Sequence, residues 1–423
     1  VGGARRLAGA VQSSDRPPPI PDPALAWRPR VAILKDAFIP EYRLRLYERL
    51  GEISEVEYTV FHGDPPAASG HQAATGPFAF PEVRLGSREM GFGGKALVYQ
   101  PALRRIAGPG FDAAVIGAEL KLLANFALFP LLKLRRRPVL LWGQAIEKQE
   151  DRGAAMQALY RGGGVLRAAA ARRADGYLAY TAGGRRRLIE QGVDSGRVFV
   201  LRNTLDMEAE IELHRAVAGE DEAALRERLG LKPESLVLLF VGRVYREKRL
   251  SELVALLRRL QAGGGVEVEG LVLGDGPDLA RVMAAAEGLD CVRFLGEVRD
   301  RECVARCMKV AAALVIPGAA GLAVNHAFAH GLPVITQASP LHGPEFEYVE
   351  SGRNGLIAAP GAEALFEQVA AFVASPAQRR ALAAGALSSR ETLTVAAMAA
   401  SFDAAVRATL ATAGHTSNLR PER

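Results

Sequence analysis

Two runs of alternation divide the chain. From Val31 onward, short apolar, β-rich runs alternate with stretches of helical period; after an interruption the same alternation begins again. The first run predicts strands at Val31–Lys35, Val56–Phe61, Asp112–Ala118, Pro138–Trp142, Gly176–Tyr180 and Arg197–Leu201. Helical stretches separate them at Glu41–Leu50, Ala96–Ala107, Leu122–Leu134, Ala154–Arg173 and Gly184–Gln191. The second run predicts strands at Leu236–Val241, Glu267–Leu273, Val292–Leu295, Ala311–Ile316, Pro333–Thr336 and Gly355–Ala358. Its helices are Arg249–Gln261, Asp278–Glu287, Arg301–Met308, Gly321–Ala329 and Ala362–Ala374. Strands that are apolar on both faces, each followed by a helix, describe parallel sheets covered by helices.

The interruption, Met207 to Glu227, is acidic, helical in period and strandless, which is the pattern of a linker between two doubly wound α/β domains. A last helical stretch, Glu391 to Thr412, has no following strand and must pack on something already built. Residues 1–30 carry Pro17, Pro18 and Pro19 among scattered Arg, Ser and Gly; they read as a flexible extension or a truncated transit peptide, outside the fold.

Composition narrows the class. A length of 423 residues with 49% apolar and 24% charged residues suits two or three globular domains and excludes wholesale disorder. Cys291, Cys303 and Cys307 are an odd number without C-x-x-C spacing, which excludes a disulfide scaffold and a zinc ribbon. They suit a reducing compartment, so the expected location is cytoplasmic, or organellar if the extension is a transit peptide. The net charge of +6 is unevenly divided. Residues 1–205 hold 30 Lys+Arg against 19 Asp+Glu, so they carry +11 and the remainder −5. Leu122–Leu132 is followed by Lys133, Arg135, Arg136 and Arg137: either an apolar helix lying on an anionic membrane surface, or a core helix whose last turn suits the helix dipole. At 11 residues it falls short of the roughly 20 needed to span a bilayer.

Three stretches of the second half could carry chemistry. Phe240-Val241-Gly242-Arg243 closes a strand and Lys248 opens the next helix, so two cations flank a turn at the carboxyl end of a strand, where ligands bind in open α/β sheets. Such a pair can neutralise a diphosphate without a metal. Leu273-Gly274-Asp275-Gly276-Pro277 is a second tight turn, in which Asp275 can cap the helix. The third stretch runs from Pro317-Gly318-Ala319-Ala320-Gly321-Leu322 through His326 and His330 to Gly331-Leu332-Pro333-Val334-Ile335. Its small residues before a helix expose free N–H groups to an anion or a sugar hydroxyl. His326 and His330 share a helix face, but no third ligand is evident and no metal is expected. Gly91-Phe92-Gly93-Gly94-Lys95-Ala96 loosely fits a dinucleotide fingerprint but follows a polar segment read as non-strand, so no NAD is expected. Arg185, Arg186 and Arg187 lack aromatic interleaving, and nucleic acid is not an expected partner.

On these three stretches the chain resembles the retaining glycosyltransferases of family 4, whose two Rossmann-like doubly wound domains face a central cleft, the GT-B fold. The signatures are the Gly-Arg…Lys pair, the Gly-x-Gly-Pro turn and the stretch ending in Gly-x-Pro-Val-Ile; Pro40-Glu41-Tyr42-Arg43 and Leu141-Trp142-Gly143 are weaker marks in the first half. The resemblance implies an acceptor-side domain over 31–205, a nucleotide-sugar donor domain over 206–385, a helix over 386–412 crossing back to the first domain, and a tail over 413–423. It implies that Arg243 and Lys248 stabilise the leaving diphosphate. Gly242, Gly274, Gly276, Gly318 and the amides of Ala320, Gly321 and Leu322 would hold the donor. No cofactor is implied, the nucleotide sugar being a substrate, and the acceptor would be a glycan or a lipid-linked molecule. The family's Glu-x7-Glu acids fall on Gly318, which has no side chain, and on His326, which could still contact a ribose hydroxyl. Gln144 follows Trp142-Gly143 where many relatives have His. Glu345 and Glu347 are candidates for a replacement carboxylate, or simply acids in a first helical turn. The departures leave open a catalytically inactive protein that binds nucleotide or glycan, or serves as a partner subunit.

Overall fold

The computed structural model describes residues 28–65, 72–92, 95–119, 122–145 and 154–414. Residues 1–27 of the expected extension and 415–423 of the expected tail lie outside the described residues.

The first half builds β1 (Arg30–Leu34), β2 (Glu57–His62), β3 (Glu82–Arg84), β4 (Arg88–Phe92), β5 (Lys95–Tyr99), β6 (Ala113–Gly117), β7 (Val139–Gly143), β8 (Gly176–Ala179) and β9 (Val198–Val200). Seven of these form a parallel sheet in the order β3-β2-β1-β6-β7-β8-β9. β6, β7 and β8 are buried at every residue, as expected of strands covered on both faces. The second half builds β10 (Leu236–Val241), β11 (Val268–Leu273), β12 (Val292–Gly296), β13 (Ala311–Ile316), β14 (Val334–Gln337) and β15 (Gly355–Ala358), all parallel, in the order β12-β11-β10-β13-β14-β15. Both sheets thus reverse their order beside the first strand, the doubly wound arrangement.

Several sequence expectations change. Ala96–Ala107 is not one helix: β5 pairs antiparallel with β4, and only Leu103–Ile106 is helical. The segment before the loose fingerprint is therefore a strand, and Gly91 pairs with Ala96 within a hairpin instead of opening a helix over a phosphate. The expected linker is two helices, Met207–Ala218 and Glu222–Arg228; Met207 and Leu225 are buried in the second core, so this segment is part of that domain's wall. The helix Leu123–Leu134 buries Leu128 and Leu132 against the first sheet, which makes it a core helix. Among the described residues no single helix is long and apolar enough to cross a membrane.

The expected terminal helix is two elements. Pro376–Arg390, unpredicted, packs on the second domain and contains the boundary drawn at 385, while Val395–Thr412 begins after the Thr394 cap. That second helix packs against the helix Leu44–Ile53 and against β8 and β9. Phe402 meets Trp142 edge-on at 5.2 Å, and Asp403 accepts from the Tyr58 hydroxyl at 2.9 Å. Its first turn is held from the other domain: the Glu208 carboxylate accepts from the Val395 and Ala396 amides at 3.2 Å each.

Candidate functional site

Where β10 and β13 lie side by side, their following loops leave the carboxyl end of the sheet at its switch point, the place where doubly wound folds have their ligand crevice. Gly242 and Arg243 leave β10, and Pro317 and Gly318 leave β13. The two loops are fastened together. Gly318 N donates to Lys248 O at 3.0 Å, Ala319 N to Glu247 O at 2.8 Å, and the Lys248 ammonium to Ala319 O at 2.5 Å. Lys248 is buried and also sits 5.5 Å from the Tyr245 ring centre, whereas Arg243 is exposed and makes no ion pair among the described residues. The two cations expected to act alike therefore occupy different environments: one fixed in the wall, one facing solvent.

A Cβ on Gly318 would collide with the Glu247 carbonyl oxygen, so the first motif acid is missing where no side chain fits. The second glycine turn has the same logic. A Cβ on Gly274 would strike the Gly242 carbonyl oxygen, and the neighbouring backbones are zipped by Gly242 N to Leu273 O at 3.0 Å and Val244 N to Asp275 O at 2.9 Å. Gly274 and Gly276 thus let two backbones touch, whereas Gly242, whose Cβ would meet nothing, is called for by its φ of 138°.

Beyond Gly318 the chain makes the turn 319–322 before the short helix Ala323–Ala329. The three amides expected to face a ligand divide. Ala320 N donates to His342 Nδ1 at 3.0 Å and is already used, which corrects that expectation; the Gly321 and Leu322 amides meet no acceptor among the described residues. Glu345, 4% exposed, lies under the same turn: it accepts from the Asn203 amide at 2.5 Å, and its Oε2 would lie 3.8 Å from a Cβ on Gly321. Glu347 is committed elsewhere, accepting from the Thr181 hydroxyl at 2.9 Å and from Gly183 N at 2.7 Å.

His326 lies 3.3 Å through Nδ1 from Glu210 Oε2, and His330 Nε2 lies at the same distance from the same oxygen. Arg301 donates to the other oxygen at 2.9 Å. Burial alone would raise the Glu210 carboxyl, but these three partners outweigh it and hold it well below the usual carboxylate range. His330, hydrogen-bonded to this carboxylate, thus ties the end of the helix Ala323–Ala329 to the helix Met207–Ala218, while His326 Nδ1 stands at ion-pair distance without a hydrogen bond among the described residues. No group of three or more His, Cys, Asp or Glu among the described residues could hold a metal ion.

The opposite wall comes from the first sheet, whose order reverses between β1 and β6. Lys35, just past β1, pairs with Glu119 past β6 at 2.7 Å. Burial would lower its ammonium, but Asp36 and Glu119 keep it above the usual lysine range. Arg43 is fully buried: it donates to the Tyr180 hydroxyl at 2.8 Å, and its guanidinium lies 4.7 Å from the Trp142 ring centre. The two weak sequence marks of the first half are therefore one cluster. No site role was read for Lys35; a lone lysine at a strand end gives no sequence signal for the partner 84 residues away.

Between the walls, beside the Glu347 contact, lies a cavity of about 460 Å³ lined by Gly183, Arg186 and Arg187 of the first domain and by Ser339, His342 and Phe346 of the second.

Comparison with known proteins places this arrangement. Residues 235–375 match the family model Glycosyl transferases group 1. No curated protein matches the chain by sequence. Among solved structures, Anabaena Alr3699/HepE in complex with UDP superposes with a TM-score of 0.66 at 16% identity, covering 90% of this chain and 99% of that one. Sucrose-phosphate synthase from Thermosynechococcus elongatus does so with a TM-score of 0.65 at 19% identity, over 91% and 100%. WaaG, a glycosyltransferase involved in lipopolysaccharide biosynthesis, gives 0.54 at 18% identity, over 88% and 98%. Residues 235–375 thus resemble the group 1 glycosyltransferases in sequence, and the chain as a whole has the GT-B fold of these neighbours.

Proposed function

We propose that this protein moves a sugar from a nucleotide-sugar donor to a glycan or lipid-linked acceptor, with retention at the anomeric carbon and without a metal ion. The observation that carries the reading is the fastening of Lys248 and the β13 loop beside exposed Arg243, which sets two cations at the switch point of the second sheet. There they would neutralise the charge that builds on the diphosphate as the bond from the anomeric carbon to the phosphate oxygen breaks. The acceptor hydroxyl attacks on the face the leaving group departs from, and a phosphate oxygen takes its proton. No enzyme carboxylate is then needed as base, and the chain has no Asp-x-Asp motif for a phosphate-bound metal. The Gly321 and Leu322 amides would hold the donor, and Glu345 would supply the carboxylate that Gly318 cannot.

HepE was crystallised with UDP and with UDP-glucose, which makes a uridine nucleotide the first donor to test. A thermal-shift screen with UDP, GDP, ADP and dTDP, followed by turnover of the matching nucleotide sugars, tests the reading. Nucleotide binding together with turnover supports it; no binding by any of the four sinks it.

The absence of side-chain carboxylates at both Gly318 and His326 favours a second reading, a non-catalytic nucleotide- or glycan-binding protein or partner subunit. Binding without turnover of any donor would select it. We further propose a cytoplasmic, reducing setting and a peripheral membrane contact through the basic first half. Binding to anionic vesicles should then weaken as salt rises; salt-insensitive or absent binding removes that part of the proposal.

A further inference from the structure

The His342 imidazole spans two backbones. Its Nδ1 accepts from the Ala320 amide at 3.0 Å, and its Nε2 lies 2.7 Å from the Gln337 carbonyl oxygen at the end of β14. An amide can only donate and a carbonyl can only accept, so Nδ1 is the bare nitrogen and Nε2 carries the proton. The ring is 6% exposed and stacked on Phe346, with centres 3.9 Å apart and planes 7° from parallel, which leaves it little freedom to turn. The next residue closes the pairing from the other side, Gly343 N donating to Ala320 O at 2.6 Å. Both polar groups of the Ala320 backbone are thus held by the 342–343 segment.

We propose that His342 is a positioning residue that braces the 319–322 turn from behind, so that the Gly321 and Leu322 amides stand ready for the anionic end of the nucleotide sugar. This rests on the proposed function for its ligand, and on geometry alone for the brace. The turn has no side chain of its own for this: Ala319, Ala320 and Gly321 offer none able to hydrogen-bond, and the contacts from Glu247 and Lys248 reach Gly318 and Ala319, leaving both polar groups of the Ala320 backbone to the 342–343 segment. An amide fixed before the ligand arrives costs no ordering when it binds, so the brace acts on affinity. His342 touches neither reacting atom and changes no bond.

The test compares His342→Ala and His342→Asn in the full chain, the asparagine Oδ1 offering an acceptor where Nδ1 stood. Backbone hydrogen exchange over 317–323 reads the brace directly and needs no substrate. In His342→Ala the exchange of the turn should quicken, and the KM for the nucleotide sugar should rise roughly fivefold to tenfold with kcat little changed, the scale of one lost hydrogen bond. His342→Asn should restore much of both. Unchanged exchange in His342→Ala overturns the inference, as does an asparagine variant no better than alanine in both readouts. Quickened exchange in a protein that binds none of the four nucleotides would support the brace and refute the proposed function, so the two failures are distinct.

Discussion

Glu347 of the second domain caps a helix of the first: its Oε2 accepts from Gly183 N at 2.7 Å and its Oε1 from the Thr181 hydroxyl at 2.9 Å. An acid at the N-terminus of the helix Ala182–Glu190 is favourable through its free amides and the helix dipole. Because cap and helix belong to different domains, that local preference also fixes the opening of the cleft. Replacing Glu347 by Ala should cost about 1 kcal/mol, the scale of a lost cap, and widen the distribution of domain orientations. Denaturant unfolding and solution scattering check both; an unchanged scattering profile would confine the contact to local stability.

Restoring the family's missing acid should harm this protein. In Gly318→Glu the new Cβ would meet the Glu247 carbonyl oxygen in the seam between the two loops. The expected loss is about 1–3 kcal/mol of stability, the usual scale of overpacking, together with nucleotide affinity. Thermal melting with and without UDP measures both, and a variant with raised activity would contradict the steric reason given for the glycine.

Arg243 and Lys248 should separate on mutation although both are cations at one site. Arg243→Ala should leave the melting temperature nearly unchanged while weakening nucleotide binding and turnover, because the side chain is exposed and makes no ion pair among the described residues. Lys248→Ala removes the ammonium that binds the Ala319 carbonyl, so it should lower both melting temperature and turnover. The stability loss is about 1–3 kcal/mol, the desolvation cost of an orphaned carbonyl. Equal effects on melting would contradict the division of roles.

The Glu210 cluster predicts a pH dependence of definite sign. The folded carboxyl lies below its unfolded value because His326, His330 and Arg301 overcome its burial. The unfolded state therefore binds more protons as pH falls. The stabilisation is complete above the unfolded value of about 4.3 and is lost as pH drops below it toward the folded value. Unfolding free energies of wild type and Glu210→Gln should accordingly differ most at neutral pH and converge in acid. A constant difference across that range would rule out the carboxylate as the cause.

The hairpin shows what periodicity leaves ambiguous. Lys95–Tyr99 could be read as the start of a helix because a short apolar run has no period of its own; pairing with Arg88–Phe92 decides it. The segment Met207–Ala218 reads as a linker because its acids, Glu208, Glu210 and Glu212, dominate its charge pattern. Its single buried face becomes visible only once Met207 meets the second core and Glu210 meets two histidines. Of the candidate site residues, the placement of Gly242-Arg243, Lys248 and the 317–322 turn after strand ends was legible, since a glycine or cation at a strand end follows from local order. His342 and Lys35 were not, because their meaning lies in a donor or an acid supplied by another loop.

Sequence alone determined the two tandem sheets and the loops that bound the crevice: buried parallel strands must be apolar throughout, and each must be followed by a crossover. Tertiary structure decided which backbone groups in those loops are already spent and which stand open. The Ala320 amide is held while the Gly321 amide meets no acceptor among the described residues, and Lys248 is buried while Arg243 is exposed. The reason is range. Strand and helix patterns repeat within a few residues, whereas a hydrogen bond between Ala320 and His342, or between Gly183 and Glu347, joins segments whose separation in sequence carries no trace of their meeting.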